Sequence, residues 1–180
     1  MARVYLSLGS NLGDRLANLR TGVARLPEVG VYPIAWSKVY ETTPVGETPD
    51  PRPYLNLGLW AETALEPLDL LRAVKAVERA LGRQPSQQRW LPRPLDIDII
   101  LYDQLIWSHS LLTIPHPRMR ERAFVLIPLA ELLPDLVLPD GTPIAEALQD
   151  PLVRAQSVRE FADLESDLLG VHSDSSLRSE

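Results

Sequence analysis

An α+β sandwich is the fold class this sequence predicts: one antiparallel sheet, helices on one face, and short C-terminal additions. Three observations predict it. Segments that alternate apolar and polar residues at period two lie at 4–9, 31–41, 55–62 and 95–102. Two segments with apolar residues at helical spacing, 12–26 and 66–81, separate the first strand from the second and the third from the fourth. The resulting order, β-α-β-β-α-β, is that of the ferredoxin-like split βαβ unit, whose second sheet face is left open for a site.

The elements follow in order. Val4, Leu6 and Leu8 form the buried side of the first strand, and Gly9-Ser10-Asn11 is expected to turn the chain into a helix with an Asn cap. Leu12, Leu16, Leu19, Val23 and Leu26 line that helix, which Pro27 and Gly30 close. The second strand carries Pro33, which marks it as irregular or at an edge. Residues 42–53 hold four prolines at 44, 49, 51 and 53, and Gly46; a loop of this length without periodicity is unusual unless functional. In the third strand Leu55, Leu57 and Leu59 face one way and Tyr54, Asn56, Gly58 and Trp60 the other. Glu66-Pro67 opens the second helix and Gly82 stops it. Residues 83–94 are a polar loop with arginines at 83, 89 and 93. The fourth strand covers 95–102, and Leu105–Trp107 is expected to extend it as a hairpin. A helix is expected near 119–133, a turn at Pro139-Asp140-Gly141, and a further helix over 152–169. The expected organisation is one catalytic domain over 1–169 and a frayed acidic tail over 170–180.

Composition excludes several classes. The 180 residues carry 24 Asp+Glu against 18 Lys+Arg, a net charge of −6, which disfavours a nucleic-acid or membrane-surface binder. Zero cysteines exclude a disulfide scaffold, a thiolate zinc site and a cysteine nucleophile. No apolar run approaches the ~20 residues needed to span a bilayer, and the N-terminus reads as a strand, so the expected location is cytoplasmic. The acidity is uneven. Residues 150–180 hold seven acids and three arginines, whereas 83–122 hold six arginines and four acids. A locally basic face is therefore compatible with a polyphosphate substrate.

Arg93-Pro94-Leu95-Asp96-Ile97-Asp98 is the most informative stretch. Asp96 and Asp98 share one face of the fourth strand, with Cα atoms roughly 6.5–7 Å apart at ~3.3 Å rise per residue. Two carboxylates held there repel unless a cation lies between them, and carboxylates with phosphate oxygens are what Mg²⁺ prefers. Arginines just before the pair add bidentate phosphate donors. Tyr54 and Asn56 fall on the same open face, and an amide beside a phenol ring suits a flat heterocycle. His116, followed by Arg118, Arg120 and Arg122, reads as a phosphate-binding cluster.

With these residues placed, the sequence resembles the 6-hydroxymethyl-7,8-dihydropterin pyrophosphokinase family. The likeness runs in order over about residues 3–150. It is carried by Leu8-Gly9-Ser10-Asn11-Leu12, Tyr40-Glu41-Thr42-Thr43-Pro44, Tyr54-Leu55-Asn56 and the block from Arg89 to Asp98. Pro115-His116-Pro117, Arg122-Ala123-Phe124 and Pro139-Asp140-Gly141 complete it. The resemblance implies pyrophosphoryl transfer from ATP to a pterin alcohol in folate biosynthesis, with release of AMP. It implies that Asp96 and Asp98 bind two Mg²⁺ ions and that Arg83 and Arg93 act on the transferring phosphates. It places Thr42, Pro44, Val45, Tyr54, Asn56, Trp90 and Phe124 around the pterin. It places Glu78, Arg83, Arg89, Arg93, Ile99, Thr113, His116 and Arg122 around ATP. The sequence departs from the family pattern at Gln84, Leu91 and Pro117.

The implied chemistry is in-line attack on the β-phosphorus, driven by positioning and charge neutralisation, with no essential general base. Two other classes remain distinguishable. A nucleotidyltransferase also combines Gly-Ser with Asp-x-Asp but releases pyrophosphate, and a ferredoxin-like binding module turns nothing over.

Overall fold

The computed structural model describes residues 1–43, 52–82 and 94–164. Its sheet is built outward from β1 (Ala2–Ser10), whose residues from Val4 onward are all buried. β4 (Tyr54–Thr63) pairs along the whole of one side of β1, from Ala2↔Thr63 to Ser10↔Leu55, and β5 (Asp96–Tyr102) pairs along the other. Both pairings are antiparallel, as the order of elements predicts. The helices α1 (Arg15–Arg25) and α2 (Pro67–Ala80) cover one face. There Leu19, Val23, Leu70, Val74 and Val77 pack against Val4, Leu6, Leu8, Leu55, Leu57, Leu59, Ile97 and Ile99. Each such fully buried aliphatic side chain contributes about 1.5–3 kcal/mol, so this interface is the main source of stability.

The structure corrects the expected element boundaries in five places. β1 runs through Gly9 and Ser10 rather than turning there, and α1 begins only at Arg15, with the Asp14 carboxylate accepting from Ala17 N–H at 3.1 Å. The Asn cap expected at Asn11 is therefore replaced by Asp14. The second strand is two strands, β2 (Val31–Trp36) and β3 (Val39–Thr42), both paired to β4. They part at Ser37, whose N–H donates to Gly58 O and whose Oγ accepts from Gly58 N–H, each at 2.9 Å. Trp107 does not extend β5. β6 (Trp107–Ser108) pairs with β7 (Thr113–Ile114) as a separate two-stranded ribbon.

The fourth correction concerns the open face. Half of it is covered by α3 (Ala123–Leu132), which begins after a 3-10 turn at Met119–Glu121 and so occupies the later part of the expected 119–133 helix. Val125, Leu126 and Leu129 of α3 form a second core with Tyr5, Ile100 and Leu101. The Tyr5 hydroxyl donates to Val125 O at 3.4 Å. Gly58 makes this packing possible: a Cβ there would lie 2.0 Å from Tyr5 Oη and 2.9 Å from Pro128 Cβ. Leu101 joins this core, rather than the helix-side face expected from alternation, because the β1–β5 register skips Ile100 between Leu6↔Ile99 and Tyr5↔Leu101. One extra residue in a strand turns the later side chains to the other face.

The last correction lies at the end of the chain. Only α5 (Pro151–Arg154), which comes after the short α4 (Ile144–Ala147), is helical within the described part of the expected 152–169 helix. β8 (Val158–Ala162) then pairs antiparallel with β3 and completes the order β5-β1-β4-β3-β8. Gln156 turns the chain between them: its amide accepts from Ala123 N–H at 3.0 Å and donates to Glu121 O at 2.6 Å. The outer edge of β3 supplies the competing partner that makes 158–162 a strand.

Candidate active site

The register brings the site together. Gly9 on β1 is opposite Asp96 on β5 and opposite Asn56 on β4, and Asn56 is opposite Tyr40 on β3. Directly opposed residues project on the same face, so Asp96, Gly9 and Asn56 form a row across three strands. At about 4.8 Å per strand, the carboxylate strand and the amide strand are roughly 10 Å apart. The row occupies the end of the sheet face that α3 leaves uncovered.

Asn56 is buried, and its Oδ1 accepts the Thr42 hydroxyl hydrogen at 2.5 Å. That bond sets which end of the amide is the oxygen, an assignment made through hydrogen bonding. Gly9 gives Asn56 and Tyr54 their room. A Cβ at Gly9 would stand 3.0 Å from Asn56 Nδ2 and 3.4 Å from the Tyr54 ring. Gly9 therefore leaves room for both candidate site residues from within β1, not from the turn expected of Gly9-Ser10-Asn11.

Asp98 is half-buried, and burial together with the neighbouring Asp96 charge pushes its carboxyl up to about 7. Arg122 opposes this, with Nη1 3.8 Å from Asp98 Oδ2. The Arg122 guanidinium also lies over the Phe124 ring, 5.6 Å from its centroid, so the first turn of α3 and the residue before it deliver a cation and an aromatic face together. Among the described residues no group of three or more His, Cys, Asp or Glu side chains could hold a metal by itself. Asp96 and Asp98 are two hard oxygen donors whose charges repel each other. This fits a Mg²⁺ ion whose remaining positions are taken by water and substrate phosphate.

His116 reaches the site through the bulge. Its backbone N–H donates to Ile100 O at 2.9 Å. Burial first, then the Arg122 and Arg118 charges, pull its imidazole down to about 4, so it is neutral at physiological pH. Nδ1 accepts from Arg118 N–H at 3.1 Å, which leaves the ring hydrogen on Nε2 as a donor. On one side of His116 is a cleft of about 220 Å³ lined by Ile106, Pro117, Met119, Leu138 and Pro139 among others. The larger cleft, about 490 Å³ between Glu66, Tyr102 and Trp107, contains none of the candidate site residues.

Two residues expected at ATP do not present side chains to this face. Glu78 on α2 is fully buried beside the β5 edge; its Oε2 accepts from Ile97 N–H at 2.7 Å and its Oε1 is 3.5 Å from Lys75 Nζ. The Ile99 side chain packs in the helix-side core, so only its backbone is available to a ligand. Thr113 sits half-buried in β7. Pro44, Val45, Arg83, Arg89, Trp90 and Arg93 lie outside the described residues.

Known proteins resemble this chain in sequence and in fold. A family model described as 7,8-dihydro-6-hydroxymethylpterin-pyrophosphokinase matches residues 5–134. The chain belongs to this family. It is 44% identical over 149 residues to a 2-amino-4-hydroxy-6-hydroxymethyldihydropteridine pyrophosphokinase of Methylorubrum extorquens, covering 82% of this chain and 92% of that one. The enzyme of the same name from Pseudomonas aeruginosa is 42% identical, covering 81% and 90%. A crystal structure of a Plasmodium falciparum HPPK-DHPS variant with pteroate superimposes with a TM-score of 0.65 at 14% identity, covering 85% of this chain and 44% of that one. That likeness concerns the fold. In this pyrophosphokinase fold the matched region takes in β1 to α3, including Asp96, Asp98, Asn56, His116, Arg122 and Phe124. It stops short of β8. No helix among the described residues is long and apolar enough to cross a membrane.

Proposed function

We propose that this chain transfers pyrophosphate from ATP to the hydroxymethyl oxygen of 6-hydroxymethyl-7,8-dihydropterin and releases AMP, as a cytoplasmic step of folate biosynthesis. The observation that carries the reading is the row Asp96–Gly9–Asn56. It sets a metal-ready carboxylate pair two strands from an oriented amide with an aromatic neighbour.

Asn56 offers N–H donors and its second carbonyl lone pair to the amide-like edge of the pterin ring. Tyr54 and Phe124 supply ring faces, and Thr42 holds the Asn56 amide in one orientation. Arg122 and the His116 Nε2–H bind ATP oxygens beside the carboxylates. Asp96 and Asp98 would hold Mg²⁺, two ions in this reading, which supplies charge neutralisation on the phosphates. The bond that forms joins the hydroxymethyl oxygen to the β-phosphorus. The bond that breaks joins that phosphorus to the α–β bridging oxygen, which leaves with AMP, and the hydroxyl proton passes to solvent. Arg83 and Arg93 are assigned to the phosphates on the family pattern alone. No residue is assigned as a general base in this reading, and positioning supplies most of the rate.

The test is product analysis with ATP, MgCl₂ and 6-hydroxymethyl-7,8-dihydropterin. AMP formed one-for-one with a pyrophosphorylated pterin supports the assignment. Free pyrophosphate with an adenylated acceptor would make the protein a nucleotidyltransferase. Binding without turnover would make it a binding module.

A further inference from the structure

A second set of charged residues lies on the opposite face of the sheet from the pterin residues. Arg15 is the first residue of α1 and is about three-quarters buried. Its Nη1 is 2.9 Å from Glu41 Oε2 and donates to Pro53 O at 3.1 Å. Glu41 immediately precedes Thr42, and Pro53 immediately precedes Tyr54, while Thr42 and Tyr54 are directly opposite each other on β3 and β4. A single guanidinium therefore grips both strands one residue before the two site residues that face each other. Arg159 of β8, the register partner of Glu41, takes its other carboxylate oxygen. The Arg15 guanidinium also lies over the Phe161 ring, 5.6 Å from its centroid.

Side chains alternate along a strand. Tyr40 and Thr42 project toward the α3 and pterin side, where Tyr40 bonds Glu131 and Thr42 bonds Asn56. Val39 and Glu41 project toward the helices. Arg15 and Glu41 thus lie on the helix side of the sheet, away from the proposed pterin pocket. They control the separation of the β3 and β4 ends from which Thr42, Tyr54 and Asn56 project. The Thr42–Asn56 bond, at 2.5 Å, tolerates little spreading of those strands.

We propose that Arg15, with Glu41 and the C-terminal-strand residue Arg159, is a positioning clamp that sets the pterin pocket from beneath the sheet. The inference rests on the functional reading above. It makes β8, which lies beyond the matched family region, a support of substrate specificity. It also predicts that damage to the clamp is felt by the pterin and not by ATP, because Asp96, Asp98, His116 and Arg122 stand on β5 and α3-side elements that Arg15 does not touch.

The experiment measures dissociation constants for 6-hydroxymethylpterin, by its fluorescence, and for a non-hydrolysable ATP analogue. It uses the full chain and the variants Arg15→Ala, Arg15→Lys, Glu41→Gln and Arg159→Ala, with melting temperatures alongside. Arg15→Ala and Glu41→Gln are expected to weaken pterin binding roughly tenfold, with the ATP analogue unchanged within about twofold. Arg15→Lys recovers part of the loss, since an ammonium reaches one partner but lacks the fork. Arg159 is largely exposed, so Arg159→Ala folds normally and shows a smaller loss of the same kind. Unchanged pterin affinity in all four variants overturns the clamp. Equal loss of pterin and nucleotide binding also overturns it, in favour of a general structural role. If the wild-type chain does not bind the pterin at all, the functional reading falls and the clamp with it.

Discussion

The Thr42 hydroxyl and the Asn56 carbonyl oxygen are joined diagonally across β3 and β4 by a 2.5 Å hydrogen bond, both side chains being buried. A buried amide with one end already committed has a defined orientation toward a ligand. Thr42→Val keeps the shape and removes the donor, leaving Asn56 Oδ1 short of a partner in the free enzyme. Steady-state kinetics should show KM for the pterin rising about fivefold to thirtyfold, the equivalent of ~1–2 kcal/mol, while KM for ATP stays put. Equal changes in both would argue against Asn56 as the pterin-reading group.

Gly9 and Gly58 separate function from stability. A methyl group at Gly9 meets Asn56 Nδ2 at 3.0 Å and the Tyr54 ring at 3.4 Å, both at the site. At Gly58 it meets Tyr5 Oη at 2.0 Å and Pro128 Cβ at 2.9 Å, in the second core. Gly9→Ala is expected to fold with little loss of melting temperature and to bind pterin poorly. Gly58→Ala is expected to lose about 1–3 kcal/mol of stability by overpacking, read by urea unfolding.

Asp98 makes stability depend on pH in a direction opposite to that of most carboxylates. Its pKa is raised from 3.8 to about 7, so the folded chain holds the proton more tightly than the unfolded chain. Stability from this group is present at low pH and falls as pH rises from about 4 through 7. Asp98→Asn should therefore raise the melting temperature of the ligand-free protein at pH 8 and leave it nearly unchanged at pH 4. The same variant should lose roughly 10²–10³ in kcat. Added Mg²⁺ with an ATP analogue should stabilise the wild type more at pH 8 than at pH 5. A variant no more stable than wild type at pH 8 would contradict the assigned cost of burying the Asp98 charge beside Asp96.

His116 behaves in the reverse sense. Its folded pKa is lowered from 6.5 to about 4, so its contribution is complete above 6.5 and is lost as pH falls from 6.5 toward 4. The imidazole ¹H–¹³C resonances of His116 should stay flat from pH 8 to about 5.5. A midpoint for His116 near 6.5 would contradict its burial beside the Arg122 and Arg118 charges.

The β-α-β-β-α-β core is legible because period-two and helical spacing persist over long segments from Val4 to Leu101. The pairing of Asp96 with Asp98 and the companionship of Tyr54 and Asn56 come from the same alternation. Alternation cannot show where it is interrupted. The bulge at Ile100 and the break at Ser37 depend on which residue of a neighbouring strand is opposite. Glu78 is expected at ATP only through the resemblance to the family; its burial on Ile97 N–H comes from tertiary placement of α2 beneath β5, which no local pattern shows. β8 reads as helix because Val158–Ala162 is too short to show its period and pairs with an element more than a hundred residues earlier. Glu41 carries no signal of its role, since its two cations come from Arg15 and Arg159.

The pairing of Glu41 with Arg159 has a bearing on the order in which the molecule is made. Strands β1, β4 and β5 can assemble as soon as residue 102 has emerged during synthesis, whereas β3, paired with β4 on one side, waits for its outer partner some sixty residues later. β8 has one neighbouring strand and three exposed residues out of five, so it holds on weakly. Backbone amides shared by Thr42 and Val158 should exchange with deuterium well before those between Leu8 and Leu57. The wall that carries Thr42 is then the last part of the sheet to gain its full set of strands and the first to fray, while the carboxylate strand at the other end stays intact.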